Sequence, residues 1–403
     1  MNPSFFAGMN ADQYFEAGEW TSWVLEHEHE EVAALALRFA GKKEIPLSFL
    51  LNQVKGRQIA RRKLPSFYAL PEIVYPDSLI LEQCSSEEAA AQKTRWGSGK
   101  TVADLTGGLG IDTLAFAETA KKVFYCEPDP IRCAAALHNF TALKRKNIEV
   151  VQGLAEETVA TLLDQTDVFY LDPSRRSESG RKVFRLEELR PNLLELKEQL
   201  LSKGALVLVK LAPMLDICEG LRLLPETVRI EVISRKDECR ELLFFLTNKK
   251  TSTEIVCIDT GHPENEFSYW PDEETVHPLF IGEPEEFLFE PNASIRKAGP
   301  WRSICKKFGV KMLHPNSHLF TGTTLIENFP GRTFRIEQVL PYKKEKILEA
   351  LQGDPAQLLF YNFPVKATDV TKALDIKSGE PKYLFFTRSI HQNTLAIITS
   401  RLT

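Results

Sequence analysis

Residues 101–113 read TVADLTGGLGIDT. A short run of strand character, Thr101 to Asp104, leads into Gly107, Gly108 and Gly110, and the helical stretch LAFAETA follows at once. Glycine lets the chain turn sharply and lets a ligand approach the backbone. The helix start behind it offers free N–H groups. A dinucleotide fingerprint, G-x-G-x-x-G, needs one more glycine where this chain has Thr113. Asp104 sets a carboxylate beside the loop, which suits a cationic ligand better than a pyrophosphate. Asp112 stands just inside the helix start, where a negative charge meets the positive end of the helix dipole.

On both sides of the loop the pattern is α/β. Short apolar runs (TVADL, VFYCE, IEVVQ, DVFYLD, ALVLVKL) alternate with helical stretches such as IRCAAALHNFTALKRK, AEETVATLL and LEELRPNLLELKEQLL. Such alternation predicts a parallel sheet with crossover helices. VRIEVIS and ELLFFLT are joined only by RKDECR, too short for a parallel crossover, so they are expected to pair antiparallel. Five parallel strands and a reversed hairpin make a seven-stranded sheet over residues 76–250. Residues 1–75 are expected to be helical, with Trp23, Leu25, Val32, Leu35 and Leu37 at roughly helical spacing and a second helix in PLSFLLNQVKGRQIARRK. Residues 251–330 mix short strands with prolines, and a compact α+β pattern returns over 331–403.

Composition narrows the function. The chain has 403 residues, 43% of them hydrophobic, and a formal net charge of -5, so any nucleic-acid contact must come from local basic patches. Its 7 cysteines include no C-x-x-C pair, which reads as free thiols in a reducing compartment and no zinc site. In HEHEE, His27 and His29 point apart on a helix, so no metal is expected there. No signal-peptide pattern opens the chain, and no apolar run approaches the ~20 residues that cross a bilayer, so a cytoplasmic protein without membrane contact is expected.

The acid and glycine loop resemble the first motif of class I S-adenosylmethionine-dependent methyltransferases. Asp104, Gly108 and Gly110 fall on that motif, and Thr106 stands where its first glycine would be. The reversed hairpin is similar to the end of that family's Rossmann-like seven-stranded sheet. The resemblance implies S-adenosylmethionine as the cofactor, cradled by Asp104, Thr106, Gly107, Gly108 and Gly110. Asp112 would bond its methionine portion or act only on the helix N-terminus. Glu127, at the tip of the second strand, is placed to accept both ribose hydroxyls. Many relatives carry an acid after the glycine that ends the third strand, whereas this chain has Leu154 after Gly153. The adenine is then expected to rest on backbone near Gly153 and on apolar packing.

The fourth strand ends FYLDPSRR, with Asp172-Pro173 at the open edge of the sheet. Relatives that methylate exocyclic amines of nucleobases carry D/N-P-P-aromatic here. The acid and a proline-fixed carbonyl hold the amine in line with the methyl group, mostly a positioning effect. Ser174 replaces the second proline and Arg175 the aromatic; Arg175 would stack on a base, bind phosphate or pair with an acid such as Glu187. Arg176, Arg181, Lys182 and Arg185 extend the positive character. Carbon-5 pyrimidine methylation needs a cysteine nucleophile at the tip of strand four or five, and neither has one. Lys210, at the tip of strand five, would line the pocket or sit in a salt bridge.

With ILEQCSSEEAAAQ (80–92), FRIEQVLPYKKEK, NFPVKATDVTKAL and KYLFFT, the chain from about residue 80 onward resembles a bacterial group of these methyltransferases. That group carries ferredoxin-like and THUMP-like C-terminal domains, here 251–330 and 331–403, and is more distantly similar to trimethylguanosine synthases. The group supplies no substrate. THUMP domains proper deliver RNA to attached enzymes, so RNA, not DNA, is implied by analogy. SIRKAGPWRSICKKFGVK (294–311) holds six basic residues and no acid, with Trp301 and Phe308 between them, and KGRQIARRK sets Arg57 and Arg61 on one helix face. Either is a nucleic-acid contact or a solvated face. The reading is an RNA methyltransferase acting on an exocyclic amine. The alternatives are a protein or small-molecule methyltransferase, or a non-catalytic RNA- or ribosome-binding adaptor.

Overall fold

The structure, a computed structural model, describes residues 18–42, 44–76, 81–82, 84–174, 185–249 and 251–402. Its contacts divide the chain into two units. The first comprises Met1–Lys210, Arg222–Glu226 and Phe245–Lys249; the second comprises Leu211–Leu221, Thr227–Phe244 and Lys250–Thr403.

The first unit opens on helices α1 (Gly18–His27), α2 (Val32–Arg38), α3 (Leu47–Lys63) and α4 (Pro65–Tyr68). Val24, Leu35, Leu50 and Val54 form their small core, while Leu37 is 81% exposed. Two residues apart on a helix is more than half a turn, so Leu35 and Leu37 cannot share a face. The turn at 28–31 also splits the expected run into two helices. His27 stacks on Trp23 at 4.1 Å and belongs to this packing. The linker after α4 is bound on two sides. The side chains of Asn52 and Gln53 on α3 both donate to the Tyr75 carbonyl (2.8 Å each). Asn139 exchanges two hydrogen bonds with the Val74 backbone. The helical region is thus packed on the sheet domain, and its last part leads into α5 (Glu87–Ala91), capped by Ser86.

Five strands follow: β1 (Thr101–Asp104), β2 (Lys122–Glu127), β3 (Ile148–Gln152), β4 (Val168–Leu171) and β5 (Leu206–Leu211). They lie in the order β3-β2-β1-β4-β5, each pair parallel. Helices α6 (Ile111–Ala117), α7 (Pro130–Ala142), α8 (Ala155–Leu162) and α9 (Leu193–Leu201) make the crossovers. Strand order reverses between β1 and β4. At such a switch point the connections leave in opposite directions and open a crevice at the C-terminal strand ends.

In the second unit, α10 (Ile217–Leu223) is followed by β6 (Thr227–Arg235) and β7 (Glu238–Leu246), which are neighbours joined through Lys236 and Asp237. Both turn residues have positive φ (49° and 62°), the geometry of a tight antiparallel hairpin. Beside β6 runs β8 (Glu254–Asp259), parallel to it, and β9 (Phe267–Tyr269) pairs antiparallel with β8. Residues 254–269 therefore lie in the same sheet as the hairpin. After α11 (Glu273–Val276) come β10 (Phe287–Pro291), α12 (Ala293–Ala298), α13 (Trp301–Phe308), β11 (Lys311–Met312), β12 (Phe320–Gly322), β13 (Gly331–Pro341), α14 (Lys344–Leu351), β14 (Ala356–Phe360), α15 (Ala367–Leu374), β15 (Lys382–Arg388) and β16 (Thr394–Arg401). Their strands form one sheet in the order β11-β12-β10-β13-β16-β15-β14.

Candidate active site at the ends of β1 and β4

Asp104 ends β1 and is 1% exposed. Its carboxylate accepts from the Thr113 hydroxyl (2.6 Å), the Thr106 N–H (3.1 Å) and the Thr106 hydroxyl (3.3 Å). Thr113, which stands where a dinucleotide fingerprint has glycine, is thus a partner of the acid. Burial pushes the Asp104 pKa up to about 7. The hydrogen bonds from Thr113 and Thr106 oppose that rise, and the charges of Asp112 and Asp172 add to it.

The loop is braced from β2. A side chain on Gly107 would meet the Tyr125 ring at 2.3 Å, and one on Gly110 would meet Phe140 at 2.7 Å. Tyr125 donates its hydroxyl to the Gly108 carbonyl (2.6 Å). Gly108 alone of the three faces open space: at its φ of +55°, the nearest atom to an added Cβ is 3.7 Å away. Its N–H donates to Glu127 (3.0 Å). Glu127 is 4% exposed and also accepts from the Asp129 N–H (3.1 Å) and Arg132 (3.3 Å). This carboxylate fastens the loop from below. Gly153, past the end of β3, donates its N–H to the Glu127 carbonyl (3.1 Å), and Leu154 beside it is half-exposed.

Asp112 is turned inward. It accepts from Ser85 (2.9 Å) and Tyr170 (3.0 Å), and the fully buried Lys93 ammonium lies 3.1 Å from its other oxygen. Burial alone would raise its pKa. The charges of Lys93 and Lys210 and the Ser85 hydrogen bond outweigh that and hold the carboxyl down at about 2.

Across the switch point, the Asp172 N–H donates to the Thr106 hydroxyl (2.7 Å), which ties β4 to the glycine loop. Lys210 donates to the Asp172 carboxylate (2.6 Å) and to the Ser85 hydroxyl (2.9 Å). Pro173 is buried. Ser174 is exposed, and its backbone N–H donates to the Arg190 carbonyl at 2.7 Å. Arg175 lies outside the described residues, as do Arg176, Arg181 and Lys182; Arg185 is exposed. The fold thus gathers Asp104, Thr106, Asp112, Asp172 and Lys210 into one hydrogen-bonded group. Ser85, Lys93 and Tyr170 complete it and were not singled out from the sequence. A lysine between a helix and a turn reads as solvated, and the signal available was only its closeness to CSSEEAAAQ.

Two basic stretches look different in three dimensions. Arg57 is 5% exposed, paired with Glu28, and its guanidinium donates to the Tyr68 carbonyl (3.2 Å), so it is a structural ion pair and not a nucleic-acid contact. Arg61 is exposed. In the 294–311 stretch, Arg296 pairs with Asp237, Lys297 donates to the Leu215 carbonyl (2.7 Å), and Arg302 donates to the His277 carbonyl (3.1 Å). Lys306 meets His277, Lys307 covers the Phe267 ring and Lys311 pairs with Glu285. Trp301 stacks on His318 at 4.3 Å. These cations are engaged within their own unit. Among the described residues no group of three His, Cys, Asp or Glu is arranged to hold a metal, and no helix is long and apolar enough to cross a membrane.

Comparison with known proteins bears on the whole chain. Residues 287–330 match a family model described as a ferredoxin-like domain, and residues 331–401 match one described as THUMP domain-like. A protein of Mycobacterium tuberculosis (strain CDC 1551 / Oshkosh), named an uncharacterized S-adenosylmethionine-dependent methyltransferase, is 26% identical over 326 residues, 79% of this chain and 86% of its own. A protein of strain ATCC 25618 / H37Rv bears the same description and aligns equally. The crystal structure of a methyltransferase candidate from Porphyromonas gingivalis W83 covers 98% of this chain and 100% of its own, with a TM-score of 0.86 at 24% identity. This chain has the fold of that protein.

Proposed function

We propose that the protein transfers a methyl group from S-adenosylmethionine to an exocyclic amine of an RNA base, in the cytoplasm. The chain is an S-adenosylmethionine-dependent methyltransferase, similar along most of its length to proteins so named. The donor set fits that cofactor. Gly108 leaves room for close backbone approach, Glu127 keeps acceptor capacity beside it, and Leu154 offers an apolar surface at the tip of β3. Asp104, Thr106, Gly107, Gly108, Gly110, Glu127 and Gly153 would hold it, with Asp172 nearby; Asp112 would act from behind the loop, since its oxygens point to Lys93, Ser85 and Tyr170. When bound, the cofactor would supply an electrophilic methyl: its bond to sulfur would break as a bond to the acceptor nitrogen formed, with the nitrogen's proton passing to solvent.

The observation that carries the amine reading is Asp172-Pro173 at the end of β4, hydrogen-bonded through its backbone to Thr106 of the glycine loop. A carboxylate there accepts from an amine N–H and turns the nitrogen lone pair toward the methyl. Support for RNA comes from the THUMP-like match at 331–401. Ser174 and Arg175 complete the acceptor side of this reading, with Arg175 as a stacking or phosphate-binding cation.

The test is transfer of tritium from methyl-labelled S-adenosylmethionine into RNA and protein fractions of a strain lacking the gene, with parent-strain fractions as control. Label in the mutant's RNA alone is expected, and nucleoside analysis should place it on a base amine. Label in the protein fraction would make this a protein methyltransferase. No label in any fraction, with cofactor binding verified, would favour the adaptor.

A further inference from the structure

The Lys210 ammonium has no part in the reading above, and a polar chain runs behind it. Lys210 donates to Asp172 Oδ2 and to Ser85 Oγ (2.6 and 2.9 Å). Ser85 donates onward to Asp112 Oδ2 (2.9 Å), which also receives the Tyr170 hydroxyl (3.0 Å). Asp112 Oδ1 faces Lys93 Nζ at 3.1 Å. Side-chain exposure climbs along this chain: 0% at Lys93, 11% at Asp112, 14% at Lys210 and 36% at Asp172. It runs from a fully buried cation to a partly exposed carboxylate at the end of β4.

That gradient has a physical consequence. An aspartate at a strand end with a third of its side chain exposed samples several rotamers when nothing holds it. Lys93 cannot leave without taking the ion-pair partner from the buried Asp112 carboxylate. Asp112 fixes Ser85, Ser85 orients the lysine, and the lysine selects one setting of Asp172. The main chain is held independently by Thr106 (2.7 Å). With Oδ2 taken by a cation, Oδ1 is the oxygen left to accept from an incoming amine.

We infer that Lys210, seated by Ser85 and anchored by the Lys93–Asp112 pair, is a positioning residue that fixes the Asp172 carboxylate against the methyl acceptor. The inference rests on the reading of Asp172 as the amine-orienting acid. It also gives a role to CSSEEAAAQK, residues 84–93: Ser85 and Lys93 are its two contributions to the site.

The test uses the full-length protein with Lys210→Met, Lys210→Arg and Ser85→Ala. Each variant is crystallised with S-adenosylhomocysteine, its affinity for S-adenosylmethionine is measured by calorimetry, and methyl transfer is followed on RNA from a strain lacking the gene. Lys210→Met is expected to shift the Asp172 carboxylate or leave it disordered. Its turnover should fall about 100-fold, the scale of a misplaced catalytic group, with KM for the cofactor unchanged. Lys210→Arg should recover at least about tenfold of that loss, and Ser85→Ala should lose about tenfold. An unmoved Asp172 with turnover within about threefold of the parent overturns the inference, as does a matching loss of cofactor affinity, which would make Lys210 a cofactor ligand. If Lys210→Met does not fold, Ser85→Ala carries the same comparison with every charge retained. If the unaltered protein labels no RNA, the RNA reading fails, and the Asp172 position in the crystals still decides this one.

Discussion

Asp104 and Asp172 flank the same loop, yet their surroundings set them apart. Asp104 is buried among hydroxyl and N–H donors, while Asp172 is partly exposed and faces an ammonium group. Burial pushes Asp104 up to about 7, above its unfolded value. Between about pH 4 and 7 the folded state therefore binds more protons than the unfolded chain, and this acid's contribution to stability is lost as pH rises through that window. Asp104→Asn should be more heat-stable than the parent at pH 8, by roughly 3–6 °C, with the advantage shrinking toward pH 4. Melting curves of both proteins across pH 4–8 check this, and an advantage that does not depend on pH would contradict it. Asp112 has the opposite sign: held at about 2, it contributes stability above its unfolded value that is lost only as pH falls toward 2. For Asp172→Ala, turnover should drop on the order of 1,000-fold while cofactor affinity changes less than about threefold. A substituted protein that still transfers methyl groups at the parental rate would remove Asp172 from the mechanism. Asp104 and Asp172 were legible because each ends an apolar run, and Asp112 because it stands at the helix start behind the glycines. Lys93, Ser85 and Tyr170 were not, because they reach Asp112 from two segments far from it in sequence or across the sheet, residues 84–93 and β4.

The strand–loop–helix at 101–117 was legible as an element, since glycines after a strand have few other uses. What each glycine does was not. Gly107 and Gly110 are glycines because Tyr125 and Phe140, from β2 and α7, press on them, and only Gly108 faces outward. Gly107→Ala should therefore act on the fold, costing about 1–3 kcal/mol of overpacking against the Tyr125 ring. Gly108→Ala meets no neighbour, but its left-handed backbone costs about 1 kcal/mol and its methyl fills the open side of the loop. Thermal melts should show the larger loss for Gly107→Ala. Calorimetry should show the larger loss of cofactor affinity, about tenfold or more, for Gly108→Ala. If Gly108→Ala binds the cofactor as tightly as the parent, the space over Gly108 belongs to something else. The helices of residues 18–63 teach the complementary lesson. Period alone put Leu37 with Leu35 and left Arg57 on the surface; the fold exposes Leu37 and buries Arg57 against Glu28.

At the scale of the molecule, composition shifts marked boundaries near residues 250 and 330, and strand pairing runs through both. β8 lies parallel to β6 across the first. Across the second, β10 pairs with β13 from Phe287↔Arg335 to Pro291↔Gly331. Pairings of this kind are long-range and leave no periodic trace in either segment. One buried cluster unites Leu288, Leu313 and Leu319 with Phe334, Tyr383, Phe385 and Ile397, so the ferredoxin-like and THUMP-like stretches share a core. Removing everything after Pro330 would expose those three leucines. At about 1.5–3 kcal/mol each, that loss is comparable to the whole stability of an ordinary domain. It would also leave β10 with an unpaired edge. The shortened chain should therefore aggregate, or be cut by protease within 287–330 under conditions where the full chain is protected there. Limited proteolysis with mass analysis of the fragments distinguishes the outcomes. Protection of 287–330 in the shortened chain would show that this stretch closes its own core, and that β13 adds to a finished sheet instead of completing one.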